Sequence, residues 1–339
     1  MKLSVIFEQL LNQQPLSSQQ MSFMMQHCLS GKLTQAQLAA FLVLMRAKGE
    51  RVEELTIAAQ LMRQFATPIK LNQTVIDIVG TGGDGQHTFN ISTLSSFIVA
   101  AAGIPVAKHG NVSVSSHSGS ADVLKEAGFR LELSEAALQT CVERTNLCFL
   151  FAPYFQPAMQ YALLVRSELK IRTFFNLLGP LIHPAGVQKQ VVGVCAGHWQ
   201  PILLDVLINT GSTRALVIHA QDGLDEVSVT CPTNILEYHQ QQTTSWVIRP
   251  ERYKSWHSSL DGMTVASARE SLDIMHSVLA QEKSPARDIT LLNAALGIYC
   301  GAVPYITFDE AFDIATHTLD SGLALTCFKQ LQQLSITLN

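Results

Sequence analysis

The sequence predicts an α/β protein: a large α/β domain on a central, mostly parallel sheet, plus a small all-helical domain. Three observations predict this. Residues 1–70 carry apolar positions at helical spacing, and no strand pattern occurs before residue 74. Beyond that point short β-branched runs alternate with helical segments, as in parallel βαβ units. The 339 residues exceed one typical core, so two domains are expected. The expected boundaries are residues 1–72 for the helical domain, joined by helices of about 160–190, and 73–339 for the α/β domain without that insertion.

The elements follow in order. In LTQAQLAAFLVLMRAKGE, Thr34 and Gln37 form a capping-box pattern, Leu38, Phe41, Leu42 and Met45 recur at helical spacing, and Gly49 is a natural stop. A second helix has Val52, Leu55, Ala59, Met62 and Phe65 on one face. TVIDIV is a strand, and a Gly-rich stretch follows it. STLSSFIVAAAG reads as a helix capped by Ser92 or Thr93 and ended by Gly103. IPVAKHG is the second strand, and SGSADVLKEAG a short helix ended by Gly128. Residues 155–180 are rich in helix formers. Later strands are expected at KQVVGVCA, RALVIHA, EVSVT, ILEYH and SWVIR, with helices at 199–210, 287–300 and 308–334. No repeat, low-complexity tract or long linker is evident.

Composition narrows the function. Charged residues make up only 15% of the chain and the net charge is −4, which argues against a protein that coats nucleic acid. The seven cysteines include no C-x-x-C pair, so neither a zinc cage nor a redox motif is expected, and reduced buried thiols are. No signal peptide is read at the start, and the longest apolar stretch, FIVAAAGIPVA, is too short to span a bilayer. A cytoplasmic protein without a membrane partner is the expectation.

Four clusters carry chemistry. In DIVGTGGDGQHTFNIST a strand end is followed by Gly80, Thr81, Gly82, Gly83, Asp84 and Gly85. Glycines let backbone N–H groups approach a ligand closely, and the start of the next helix adds free donors and a partial positive charge. Together these suit a phosphate. A tight turn that binds nothing also uses glycines, but Asn90, Ser92 and Thr93 add more polar groups than one cap needs. In AKHGNVSVSSHSGSAD, Lys108, His109 and Asn111 follow a strand end, where open α/β sheets bind ligands. Ser113, Ser115, Ser116, Ser118 and Ser120 are hydroxyls for a ligand or simply for solvent. In HAQDGLDEVS, the adjacent carboxylates Asp225 and Glu226 suit magnesium shared with phosphates, or form a surface acidic pair. In LLVRSELKIRTFFNLLGP, Arg166 and Arg172 suit a carboxylate ligand or an interface.

These clusters, in this order, resemble the anthranilate phosphoribosyltransferase family. The family pattern is G-T-G-G-D-G, F-N-[IV]-S-T, A-K-H-G-N-R-x-V-S-S-x-S-G-S-A-D, V-R-x-x-L-G-I-R-T-x-F-N-L-L-G-P-L-x-N-P and D-G-L-D-E, and the match covers nearly the whole chain. The resemblance implies transfer of phosphoribose from phosphoribosyl pyrophosphate (PRPP) to the amine of anthranilate, in tryptophan biosynthesis, by a homodimer joined through its helical domains. It implies that Gly80, Thr81, Gly82, Gly83, Asp84, Thr88, Asn90, Ser92, Thr93, Lys108 and Ser120 bind PRPP. It implies that Gly80, Asn111 and Arg166 bind anthranilate, and that Ser92, Asp225 and Glu226 hold Mg2+. No catalytic residue is singled out, because an aniline-type amine needs positioning more than deprotonation. His109 is the nearest acid/base candidate, and equally a structural histidine.

The chain departs from the pattern at Val112 (usually Arg), Gln156 (usually His), His183 (usually Asn), Lys170 (often Gly) and His117 (often Lys). These changes point toward the acceptor side. The alternatives are therefore a related transferase with another aromatic acceptor, a nucleoside phosphorylase, whose K-H-S before the Gly-rich loop is lacking here, and a non-enzymatic nucleic-acid-binding relative.

Overall fold

The computed structural model describes residues 1–113 and 117–338. Ser115 and Ser116, two of the hydroxyls considered above, lie outside the described residues.

The chain opens with helices α1 (Leu3–Leu11), α2 (Ser18–Leu29), α3 (Gln35–Lys48) and α4 (Val52–Phe65). The capping box at α3 forms: the Gln37 N–H donates to Thr34 Oγ1 at 3.2 Å, and the Thr34 N–H donates to Gln37 Oε1 at 3.0 Å. Leu38, Phe41, Leu42 and Met45 are all buried.

The next elements are β1 (Ile76–Gly80), α5 (Ile91–Ala101), β2 (Val106–Gly110), α6 (Ser120–Glu126), α7 (Glu135–Thr145) and β3 (Leu147–Phe151). Then come α8 (Ala152–Phe155), α9 (Gln160–Leu169), α10 (Phe174–Leu178), β4 (Lys189–Gly193), α11 (Trp199–Asn209) and β5 (Arg214–Ala220). The hairpin β6 (Thr233–His239) and β7 (Gln242–Ile248) precedes α12 (Ala268–Leu279), α13 (Pro285–Gly301), α14 (Phe308–Asp320) and α15 (Leu323–Thr337).

Among the described residues, seven strands form one sheet in the order β3-β2-β1-β4-β5-β6-β7. Neighbours are parallel from β3 to β5, whereas β6 and β7 pair antiparallel. The sheet is therefore mostly parallel, as expected. The chain moves outward from β1 to β3, then returns to place β4 on the other side of β1. That reversal leaves a crevice beyond the carboxyl ends of β1 and β4, the usual ligand position in such sheets.

Strand alternation divides the apolar side chains between two cores. Val191, Leu216 and Ile218 pack in one core with α5, α13 and α15. Val192, Val194, Ala215 and Val217 pack in the other with α11 and residues of α1–α4, α9 and α10. The second core also takes in Ala158 through Ile182, so part of the 155–180 segment packs with the N-terminal helices.

Five local expectations need correction. Helix α5 starts at Ile91, so its N-cap position is Asn90 rather than Ser92 or Thr93. EVSVT is not a strand: the side-chain amide of Asn293 on α13 accepts from the Val227 N–H at 2.8 Å and donates to the Val227 carbonyl at 2.9 Å, taking the place of a ladder partner. Helix 308–334 breaks at Ser321–Gly322 into α14 and α15. Arg172 lies outside the helices, after α9 ends at Lys170 with φ 50°. Strand β3, LCFLF, is not among the expected strands, because a continuous apolar run buried on both faces has no alternation to read.

Candidate active site

The crevice is floored by strand ends that are glycines: Gly80, Gly110 and Gly193 close β1, β2 and β4. Gly193 has a specific reason, because a Cβ there would overlap the carbonyl of Asp225. The absent side chain lets the 222–228 turn lie directly on the end of β4. Gly82 and Gly83 have φ of 68° and 73°, a left-handed backbone suited to glycine. The Gly82 N–H donates to Asp225 Oδ2 at 2.6 Å.

The neighbouring carboxylate bonds the other half of the site. Glu226 Oε1 accepts from the Ser92 N–H at 3.2 Å, in the first turn of α5. Lys108, near the end of β2, reaches under the same turn. Its Nζ donates to the Ile78 carbonyl at 2.7 Å and to Ser92 Oγ at 3.2 Å. The structure thus gathers Gly80, Gly82, Asp84, Ser92, Lys108, Asp225 and Glu226 from segments remote in sequence.

Their charges are mismatched without a ligand. Burial, then the charges of Asp84 and Glu226, push the Asp225 carboxyl well above the ordinary range. Burial raises Glu226 to about 7, against the pull of Lys108 and of the Ser92 hydrogen bonds. Burial lowers Lys108, opposed by Asp77 and Glu226. Buried carboxyls that repel one another are stabilised by an added cation.

Magnesium fits that need. It is typically held by one or two carboxylates and by substrate phosphates rather than by a closed protein cage. Among the described residues no three His, Cys, Asp or Glu side chains could hold an ion unaided. Asp225, Glu226 and the Ser92 hydroxyl are the oxygen donors that would hold such an ion. Thr81 and Thr93 carry buried hydroxyls without a protein partner, which further marks the Gly-rich loop and the α5 start as built around an external group.

Asn90 is fixed by the protein itself. Its Oδ1 accepts from Ser118 Oγ at 2.7 Å and from Ser271 Oγ at 2.8 Å, and its Nδ2 donates to the Ser118 carbonyl at 3.1 Å. Asn111 and Ser120 are adjacent, with Ser120 Oγ donating to the Asn111 carbonyl at 3.4 Å. Thr88 forms an isolated bridge with Thr264.

Arg166 stands apart from these hydrogen bonds. It lies on α9, over the Phe175 ring at 5.5 Å, and burial lowers its pKa. Arg172 is instead joined to the Gly-rich loop. Its Nη1 donates to the Gly83 carbonyl at 2.9 Å and to Cys195 Sγ at 2.7 Å. Its own carbonyl accepts from Arg46 of α3 at 2.5 Å. Arg172 thus spends Nη1 on the loop, while its Nη2 is buried without a protein partner. Sequence reasoning missed Ser271, whose segment ARESLDIM carries no motif.

The departures from the family pattern divide in two. Gln156 and His183 are buried and bond backbone carbonyls: Gln156 Nε2 donates to Ile182, and His183 Nε2 lies 2.7 Å from the Ala107 oxygen. Val112 is exposed, and His117 packs against the His87 ring with centroids 4.6 Å apart.

Comparison with known proteins agrees along the whole chain. The family described as "Glycosyl transferase family, a/b domain" matches residues 72–325, and its "helical bundle domain" matches residues 4–66. An anthranilate phosphoribosyltransferase of Legionella pneumophila (strain Paris) is 54% identical over 339 residues, covering 100% of this chain and 98% of the relative. The solved anthranilate phosphoribosyltransferase of Thermus thermophilus superposes with a TM-score of 0.89 at 32% identity, over 98% of this chain and 99% of that one. The Saccharomyces cerevisiae enzyme, solved in complex with PRPP and Mg, superposes with a TM-score of 0.88 at 27% identity, over 99% and 98%. The chain belongs to the glycosyl transferase family and, within it, to the anthranilate phosphoribosyltransferases.

Proposed function

We propose that the chain transfers phosphoribose from PRPP to the amine of anthranilate, releasing pyrophosphate, as a magnesium-dependent step of tryptophan biosynthesis. The observation that carries this reading is the carboxyl pair, Asp225 buried and Glu226 half-buried, bonded to the Gly82 and Ser92 N–H groups at the sheet reversal. A charged pyrophosphate leaving group needs this kind of preorganised donor and cation site.

In this reading the Gly80–Asp84 loop, Thr88, the first turn of α5, Lys108 and Ser120 cradle PRPP. Asp225, Glu226 and Ser92 Oγ hold Mg2+, which supplies charge neutralisation for the departing oxygens. Asn90 belongs to the cradle too: one Nδ2 hydrogen bonds the Ser118 carbonyl and orders that loop, and the second remains for a phosphate oxygen. Gly80, Asn111 and Arg166 orient anthranilate, Arg166 by gripping its carboxylate. The neutral amine then needs only alignment with the anomeric carbon. His109 is buried and its pKa is lowered to about 4, so it suits a structural role better than acid/base work near neutrality.

The 54% identity to an anthranilate phosphoribosyltransferase, and a similar solved structure in complex with 4-fluoroanthranilate, favour anthranilate over another aromatic acceptor. The net charge of −4 and the retained carboxyl pair disfavour a nucleic-acid-binding relative. Val5, Leu11 and Val43 of α1 and α3 are exposed apolar residues, which supports a homodimer through the helical part. The seven cysteines are unpaired, which suits the reducing cytoplasm. Among the described residues no helix is long and apolar enough to cross a membrane.

The test is a fluorescence assay of anthranilate consumption with PRPP and magnesium, each omitted in turn. Consumption that requires both supports the reading. PRPP binding without turnover would redirect the acceptor assignment.

A further inference from the structure

The Gly-rich loop is buttressed from behind by a segment with no recognised motif. Residues 263–271 run along residues 87–90. The Phe89 N–H donates to the Met263 carbonyl at 2.8 Å, and the Val265 N–H donates to the His87 carbonyl at 2.9 Å. The segment ends in the first turn of α12, at Ser271, which is fully buried. Ser271 Oγ accepts from the Asn90 N–H at 3.0 Å and donates to Asn90 Oδ1 at 2.8 Å. One hydroxyl therefore satisfies both the backbone and the side chain of the N-cap residue of α5.

Asn90 carries the effect onward, because the same Oδ1 and the Nδ2 of its amide bond the Oγ and the carbonyl of Ser118. Ser118 lies just before α6. Three elements, α12, α5 and the start of α6, are thereby joined through one amide. The turn that bears Ser271 is itself fixed, since Ser267 Oγ accepts from the Glu270 N–H at 3.2 Å and Glu270 Oε2 from the Ala266 N–H at 2.8 Å. A hydroxyl on so anchored a turn is a rigid reference point.

We propose that Ser271 is a positioning residue of the PRPP cradle: through Asn90 it sets the start of α5 and the 118–120 loop at the separation that phosphate binding needs. The proposal rests on the functional reading above and adds to it a residue that touches no substrate.

The experiment compares Ser271→Ala with Ser95→Ala in the full-length protein. Ser95 is also fully buried, and its Oγ donates to the Thr290 carbonyl at 3.2 Å, away from Asn90. Amide hydrogen exchange is read for residues 87–92 and 117–121, and PRPP affinity is read by calorimetry with Mg2+. Ser271→Ala is expected to speed exchange in both segments and to weaken PRPP by about ten- to a hundredfold, the scale of two lost buried hydrogen bonds. The KM for anthranilate should stay unchanged. Ser95→Ala should resemble the parent protein in both readouts. An Asn90→Ala background keeps the backbone N–H that Ser271 accepts, so there the Ser271→Ala effect on exchange should persist in part at 87–92 and largely vanish at 117–121, which Ser271 reaches only through the amide. Exchange and affinity no different from Ser95→Ala, or effects of Ser271→Ala and Asn90→Ala on exchange at 117–121 that simply add, would overturn the proposal. If the parent protein binds no PRPP, the functional reading fails, and exchange at 117–121 still decides whether Ser271 positions the loop.

Discussion

At the start of α5 the protein's polar groups hold one another: Asp225 takes Gly82, Glu226 takes Ser92, and Ser271 takes Asn90. The residues assigned to the acceptor are held more lightly. Arg166 leans on the Phe175 ring, and exposed Asn111 accepts the N–H of its own neighbour, Val112, at 2.7 Å. The first region is set in advance, its carboxyls already bonded to backbone N–H groups. The second leaves its charged group to be arranged around what enters. The difference suggests the division of labour expected for phosphoribosyl transfer: rigid electrostatics at the leaving group, adaptable positioning at the nucleophile.

The largest expected effect breaks the rigid region. Replacing Asp225 and Glu226 together by Ala should lower kcat/KM by at least about a thousandfold. The circular dichroism spectrum should be retained. Activity that survives, or that ignores magnesium-limited buffer, would remove the metal assignment.

The adaptable region should respond differently. Arg166→Ala is expected to raise the KM for anthranilate by about ten- to a hundredfold and to leave that for PRPP unchanged. Arg166→Lys should recover only part, because an ammonium lacks the planar fork. Equal rises in both KM values would show that the two regions are not independent.

Beneath both regions lie the buried rings of His109 and His183, 5.6 Å apart. Burial lowers each to about 4 from 6.5, so the folded chain binds fewer protons than the unfolded chain between those values. Their contribution is complete above pH 6.5 and is lost as pH falls toward 4, by up to about 3 kcal/mol per ring. His183→Asn should therefore lose less stability than the parent protein between pH 7 and pH 4.5, as read by urea midpoints. Parallel pH profiles would show that His183 does not carry this term.

The smallest effect concerns the link between the regions. Lys170 ends α9 in the left-handed conformation, at φ 50° and ψ 28°. Lys170→Gly should raise stability by about 0.5–1 kcal/mol, seen as a small upward shift in Tm. A fall in Tm would mean that the lysine side chain contributes more than its backbone costs.

Much of this was legible in the sequence because it was written as local pattern. Thr34 and Gln37 cap α3 as their spacing predicts, and the Gly-rich loop lies between β1 and α5. Asp225 and Glu226 were readable as a pair, but their separate partners, Gly82 and Ser92, were not. Such bonds depend on strand order, which a motif does not encode. Asn90 reads as a phosphate donor because a polar residue at a helix start suits one; the further bonds of its amide to Ser118 and Ser271 depend on tertiary placement that no motif encodes. Gln156 and His183 read as acceptor-side changes, but their bonds to the Ile182 and Ala107 carbonyls were not readable. The EVSVT strand failed for a related reason. Val227 and Val229 are buried as in a strand, but Asn293, from a helix 66 positions away, bonds the backbone of Val227.

Gly193 carries no functional group, and no motif includes it. Yet the Asp225 carbonyl occupies the space where its side chain would stand. In evolutionary terms the two positions form a single character. A lineage that replaces Gly193 must first move the acidic turn off the end of β4, and a lineage that keeps the turn in place inherits the glycine with it. A variant chain altered at Gly193 alone would still display every recognised motif while its acidic turn had nowhere to rest.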